Sequence, residues 1–203
     1  MGLKLRYNLF RSPAEPVYDA FATFYGQRGF KLRDADDGRG RLNFYCEHAG
    51  WTVVDLGSGW EWKVRREAQL FVSQAAWCAG FLIFVYDGEY WGYEFFNCGE
   101  VLDHILQEAT GEPIGFPGED CQGNPHIVAE HFPFLRQEDI APYLVQKRDW
   151  VIPDGMDVPA RPGDEYRRFD ECAVLDFLRM IGIPTEIREN DVRLKAPLFR
   201  SVD

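Results

Sequence analysis

Five cysteines and four histidines are the side chains here best suited to nucleophilic or metal chemistry. Cys46, Cys78, Cys98, Cys121 and Cys172 are widely spread and no two form a C-x-x-C pair, so the spacing predicts reduced thiols rather than a disulfide framework. Cys121, His126 and His131 follow one another at five-residue steps. Two histidines at that spacing diverge by about 140° on a helix, unlike the i, i+4 pair of a zinc helix. Asp34, Asp36 and Asp37 precede Gly38, but the glycine comes one position early for a calcium loop, and Tyr45 stands where a bidentate acid is required. A turn is expected there. Glu89 and Glu94 have opposite parity along a strand, which predicts two solvated carboxylates rather than a catalytic pair. The sequence therefore assigns no metal ligand and no catalytic residue.

The remaining chemical motif is VVDLGSGWEW, residues 53–62, where an apolar strand ends in Asp55-Leu56-Gly57-Ser58-Gly59 before a helical pattern. It resembles the first motif of class I S-adenosylmethionine-dependent methyltransferases over about ten residues. The resemblance implies that Gly57 and Gly59 lie against the cofactor's amino-acid moiety, with Asp55 as an organising carboxylate. Glu61 stands at the family's third glycine. The next acid after a strand, Asp87, falls in an apparent hairpin turn, whereas a doubly wound sheet needs a helix there.

Charge narrows the class of partner. The net charge is −11, and residues 99–140 hold nine acids against one base while the rest of the chain is nearly balanced. Nucleic acid and anionic membrane are disfavoured, since both require a basic footprint. A basic protein is the expected partner, with Glu119, Asp120, Glu138 and Asp139 as the candidate interaction face. Met1–Pro16 has no apolar h-region, and the uncharged stretch Leu70–Tyr86 is interrupted by Ser73, Gln74 and Gly80, so a cytoplasmic protein without a membrane span is expected.

These residues need a scaffold, and its clearest signal is Phe81–Phe96. FLIFVY meets Asp87-Gly88 and returns as EYWGYEFF, a strong hairpin pattern. A two-residue turn would set Phe84 opposite Trp91 and Ile83 opposite Gly92. Both faces of the hairpin are apolar and require cover. Upstream, Pro13–Gly29 has helical spacing, Phe30–Arg33 is a short strand, Arg41–His48 and Trp51–Leu56 form a hairpin, and Trp60–Trp77 is a helix with Val64, Ala68, Phe71, Val72 and Ala75 inward. Downstream, Asn97-Cys98-Gly99 turns into a strand over Val101–Ile105, giving a meander. Residues 108–124 form a loop. Asn124-Pro125 starts a short helix, Gln137–Gln146 is helical, Ile152–Asp164 is an extended arm, and Asp170–Ile181 is an amphipathic helix ended by Gly182. Thr185–Leu194 reads as a hairpin turning at Asn190-Asp191.

The order of elements specifies α+β with a mainly antiparallel sheet, namely a hairpin over 41–56 and a meander over 81–105, packed by helices and followed by a C-terminal helix and hairpin. Residues 1–150 form the core, with the arm and C-terminal elements of 151–203 packed on it as one domain. The functional expectation is a non-catalytic binding domain of inhibitor or immunity type that needs no cofactor. A small methyltransferase using Asp55, Gly57 and Gly59 is the alternative.

Overall fold

The computed structural model describes residues 6–32, 41–48, 50–55, 62–86, 90–107, 122–147, 151–183 and 192–200. The chain divides into two compact units. The first comprises Arg6–Leu82, Phe96–Val101 and Glu186–Asp203, and the second comprises Met1–Leu5, Ile83–Phe95 and Leu102–Thr185.

In the first unit the strands are β1 (Arg6–Phe10), β2 (Phe30–Leu32), β3 (Arg41–His48), β4 (Trp51–Asp55) and β8 (Val192–Arg200), with the opening residues of β5 (Ala79–Tyr86). Their order is β2-β8-β3-β4-β1-β5. Every pairing of β1 with β4, β4 with β3, β3 with β8 and β8 with β2 is antiparallel. The expected hairpin of β3 and β4 forms, with Phe44 opposite Val54 and His48 opposite Trp51. Asn190-Asp191 lies outside the described residues, and the strand that follows it pairs with β3 and β2.

Helices α1 (Ala14–Gly26) and α2 (Trp62–Ala75) supply the rest of this core. Phe10, Phe21, Phe24, Tyr25, Val54, Ala68, Val72 and Phe96 are buried together, with Phe10 edge-on to Phe21 at 5.7 Å and against Phe96 at 5.6 Å. The inward face of α2 differs from the apolar pattern. Ala75 is exposed, whereas Arg65, Gln69 and Ser73 are buried at helical spacing beside Ala68 and Val72.

In the second unit the order is β5-β6-β7, with β6 at Tyr90–Asn97 and β7 at Glu100–Leu106. This is the expected antiparallel meander. The turn residues 87–89, including Asp87-Gly88, lie outside the described residues. A Cβ at Gly92 would lie 2.6 Å from the ring of Phe84, so Phe84 meets Gly92 and not Trp91. Trp91 and Tyr93 instead pack on Phe177 at 5.3 and 5.5 Å, and Phe95 packs on Phe132 at 5.6 Å.

Phe177 belongs to α5 (Ala173–Met180), whose Val174, Phe177, Leu178 and the following Ile181 form the buried stripe that the sequence predicts. Asp170 accepts from the backbone N–H of Cys172, and Gly182, at φ 86°, closes the helix. Asn124 caps α3 (Pro125–His131) by accepting from His126 N–H at 3.0 Å. Gln137–Gln146 is broken by Pro142 into α4 (Gln137–Ile140) and a 3-10 turn, Ala141–Leu144.

Candidate interaction surfaces

In the first unit, α2 runs out at Ala75 with neither Gly nor Pro to stop it. Its end is nevertheless a Schellman motif. The N–H of Cys78 donates to Ser73 O at 3.0 Å and that of Trp77 to Gln74 O at 3.2 Å, which places Trp77 at the left-handed position normally held by glycine. Trp77 adopts φ 50° there and is 79% exposed. A left-handed conformation costs a residue with a Cβ about 1–2 kcal/mol. Exposing an indole forgoes burial of about 2 kcal/mol or more. The first term opposes folding and the second forgoes a gain that burial would supply.

The β6–β7 turn adjoins that helix end. Cys98 and Gly99 have φ of 48° and 90°, the two positive values of a type I′ turn. Cys98 N–H donates to Cys78 O at 3.1 Å, Ser73 Oγ donates to the same carbonyl at 2.6 Å, and Gly99 N–H donates to Ser73 Oγ at 3.2 Å. A Cβ on Gly99 would sit 2.9 Å from Gln74 Cβ. Burial pushes the Cys78 thiol up to about 12, and the neighbouring Cys98 adds to the shift.

Asp55, the organising acid of the cofactor reading, ends β4 opposite Tyr7 and Asn43. Its charge adds to the raising of the Tyr7 pKa by burial. It also opposes the lowering of Arg65 by burial and by Arg6. Asp55 thus sits in the field of a tyrosine and a buried arginine. Among the described residues, Asn8 Oδ1 and both amide atoms of Gln69 are buried without a hydrogen-bond partner. Gly57 and Gly59 lie outside the described residues.

The second unit holds the acidic candidates. Arg136 reaches Glu138 and Asp139, each at 3.0 Å, and Arg161 reaches Asp139 at 2.9 Å. The hydrogen bond from Arg136 and the charge of Arg161 hold the Asp139 carboxyl below its ordinary pKa against some desolvation. Two of the four expected interaction residues are therefore occupied within their own unit. Glu119 and Asp120 lie outside the described residues. Glu94, expected to be solvated, is 1% exposed, while Glu89 also lies outside the described residues. His126 pairs with Glu130 and His131 stacks edge-on against Phe95, so the two histidines serve different contacts. Among the described residues no cluster of three metal-ligating side chains exists, and no helix is long and apolar enough to cross a membrane.

Val151 and, within the predicted arm, Ile152, Met156 and Val158 are also exposed apolar side chains. The arm's neighbouring segment is tied down by two acids and a glutamine. Asp176 Oδ2 accepts from Glu165 N–H and Tyr166 N–H at 3.0 and 2.9 Å, Asp164 accepts from Tyr143 OH at 2.7 Å, and Gln107 Nε2 donates to Arg168 O at 2.6 Å.

Sequence analysis placed Trp77 at the end of the expected helix Trp60–Trp77 and did not single out its exposure. The available signal was the absence of a glycine where the α2 pattern stops. Comparison with protein-family models, curated proteins and solved structures finds no match.

Proposed function

We propose that this chain is a non-catalytic, cytoplasmic binding domain for a basic protein, of inhibitor or immunity type, and that Trp77 anchors the contact. The observation that carries the reading is Trp77 itself, a fully presented indole on a strained backbone position. Strain of this kind persists only where the surrounding structure over-determines it, and it clusters at sites of function. Tryptophan is also enriched among the few residues that dominate interface energetics. The net charge of −11 supplies the preference for a basic partner through long-range steering.

The methyltransferase alternative has less support. Its motif needs a strand within a parallel, doubly wound sheet, whereas β4 runs antiparallel to both β1 and β3.

The test is quantitative capture on the immobilised chain, comparing wild type with Trp77→Ser at about 0.1 M and about 1 M salt. A basic protein should be retained by wild type, released by high salt, and held at least about tenfold more weakly by the variant. Equal retention by Trp77→Ser would overturn the role of this residue, and an acidic or salt-insensitive partner would overturn the electrostatic part.

A further inference from the structure

The same corner of the first unit contains a dithiol that the binding role does not use. Cys78 precedes β5 and Cys98 follows β6, and the Cys98 N–H to Cys78 O hydrogen bond sets them opposite each other. By backbone bond lengths, that single hydrogen bond holds the two Cα atoms within about 7 Å of each other, at the reach of about 4.4–6.8 Å that a disulfide bridges. Ser73 locks the spacing by donating to the Cys78 carbonyl and accepting from Gly99 N–H. Cys98 also occupies a left-handed turn position, where Asn or Gly carries no comparable strain.

We propose that Cys78 and Cys98 are a redox modification site that closes to a disulfide by exchange with a low-molecular-weight disulfide such as oxidised glutathione. Cys98 is partly exposed and Cys78 is buried, so Cys98 reacts first. Its thiolate attacks one sulfur of the glutathione disulfide, forming the Cys98 mixed disulfide and expelling one glutathione thiolate. The Cys78 thiolate then attacks the Cys98 sulfur, forming the Cys78–Cys98 bond and expelling the second glutathione. Two electrons pass from the two cysteines to the glutathione disulfide, and the two cysteine protons leave on two glutathione thiols. The high pKa of the buried Cys78 makes the second step the slower one, and it accelerates as pH rises. This inference is independent of what Trp77 binds.

The test treats the full chain with oxidised glutathione, blocks remaining thiols by alkylation and maps the product after chymotryptic digestion, because trypsin has no cleavage site between Arg66 and Arg136. Disulfide closure should remove about 2 Da from the wild-type chain before alkylation, and the digest should yield peptides joined through Cys78 and Cys98, both reversed by dithiothreitol. Cys78→Ser should instead accumulate the glutathione adduct on Cys98. A wild-type chain that stops at the Cys98 adduct, leaves both thiols open to alkylation, or joins Cys98 to a different cysteine overturns the proposal. The wild-type map decides the matter even if the variant does not fold.

Discussion

The end of α2 and the acidic segment around α4 differ in whether their functional-looking residues are already used. Around α4, Glu138 and Asp139 face Arg136 and Arg161, so charges that stand out in the sequence are balanced inside one unit. At the end of α2, Trp77 has both an unfavourable backbone and an exposed indole. A local excess of charge is weak grounds for a site when partners lie one or two turns away. Exposure combined with strain is stronger, because folding alone provides no reason to keep it.

The largest effect that sharpens this contrast is expected in the interior of the second unit. Leu178→Ala removes a buried side chain from α5 and should destabilise by about 2–5 kcal/mol in urea denaturation. A loss under about half a kcal/mol would mean that the face is not packed. Asp176→Ala should follow at about 3 kcal/mol, since it strands the N–H groups of Glu165 and Tyr166 at roughly 1–3 kcal/mol each. Amide exchange at those two residues should accelerate in the variant. If it stays slow, another acceptor holds the arm.

A smaller effect concerns the acids around α4. The Asp139 carboxyl has a depressed pKa in the folded state, so its pairing stabilises above the unfolded value of about 3.9 and is lost as pH falls through the folded one. The stability difference between wild type and Arg136→Met should therefore be present at neutral pH and shrink toward zero below about pH 3. A difference independent of pH would assign Arg136 to packing. Reversing Glu138 and Asp139 to lysine should alter association with a basic partner less than their formal charge implies, as measured by stopped-flow rates at two ionic strengths. A collapse of the rate would restore these two acids as the steering face.

Periodicity and turn chemistry made much of the fold legible. Arg41–His48 alternates and is β3, Asn124-Pro125 starts α3, and the 170–181 stripe is buried as α5. The pairing of the hairpin faces was not legible, because Asp87-Gly88 signals a turn without fixing its length, and one residue exchanges the faces. Ala68 and Val72 are buried as expected, but the polar part of the buried face of α2 escaped notice because Arg65, Gln69 and Ser73 read as a solvent face by type. Glu94 misled for the same reason. Strand β1 escaped because RYNLF is too short for its alternation to stand out. For the candidate site, sequence carried the acids but not their arginine partners, since Arg161 is distant in the chain from Asp139. It carried Trp77 as an aromatic residue but not as an exposed one.

The most direct test is Trp77→Gly, measured for stability by urea denaturation and for affinity toward the captured partner. Glycine relieves the left-handed position, so the variant should be more stable than wild type by about 1 kcal/mol while binding at least about tenfold more weakly. A variant that is destabilised, or that binds as tightly as wild type, would contradict the claim that Trp77 is held at a cost to folding for the sake of a contact.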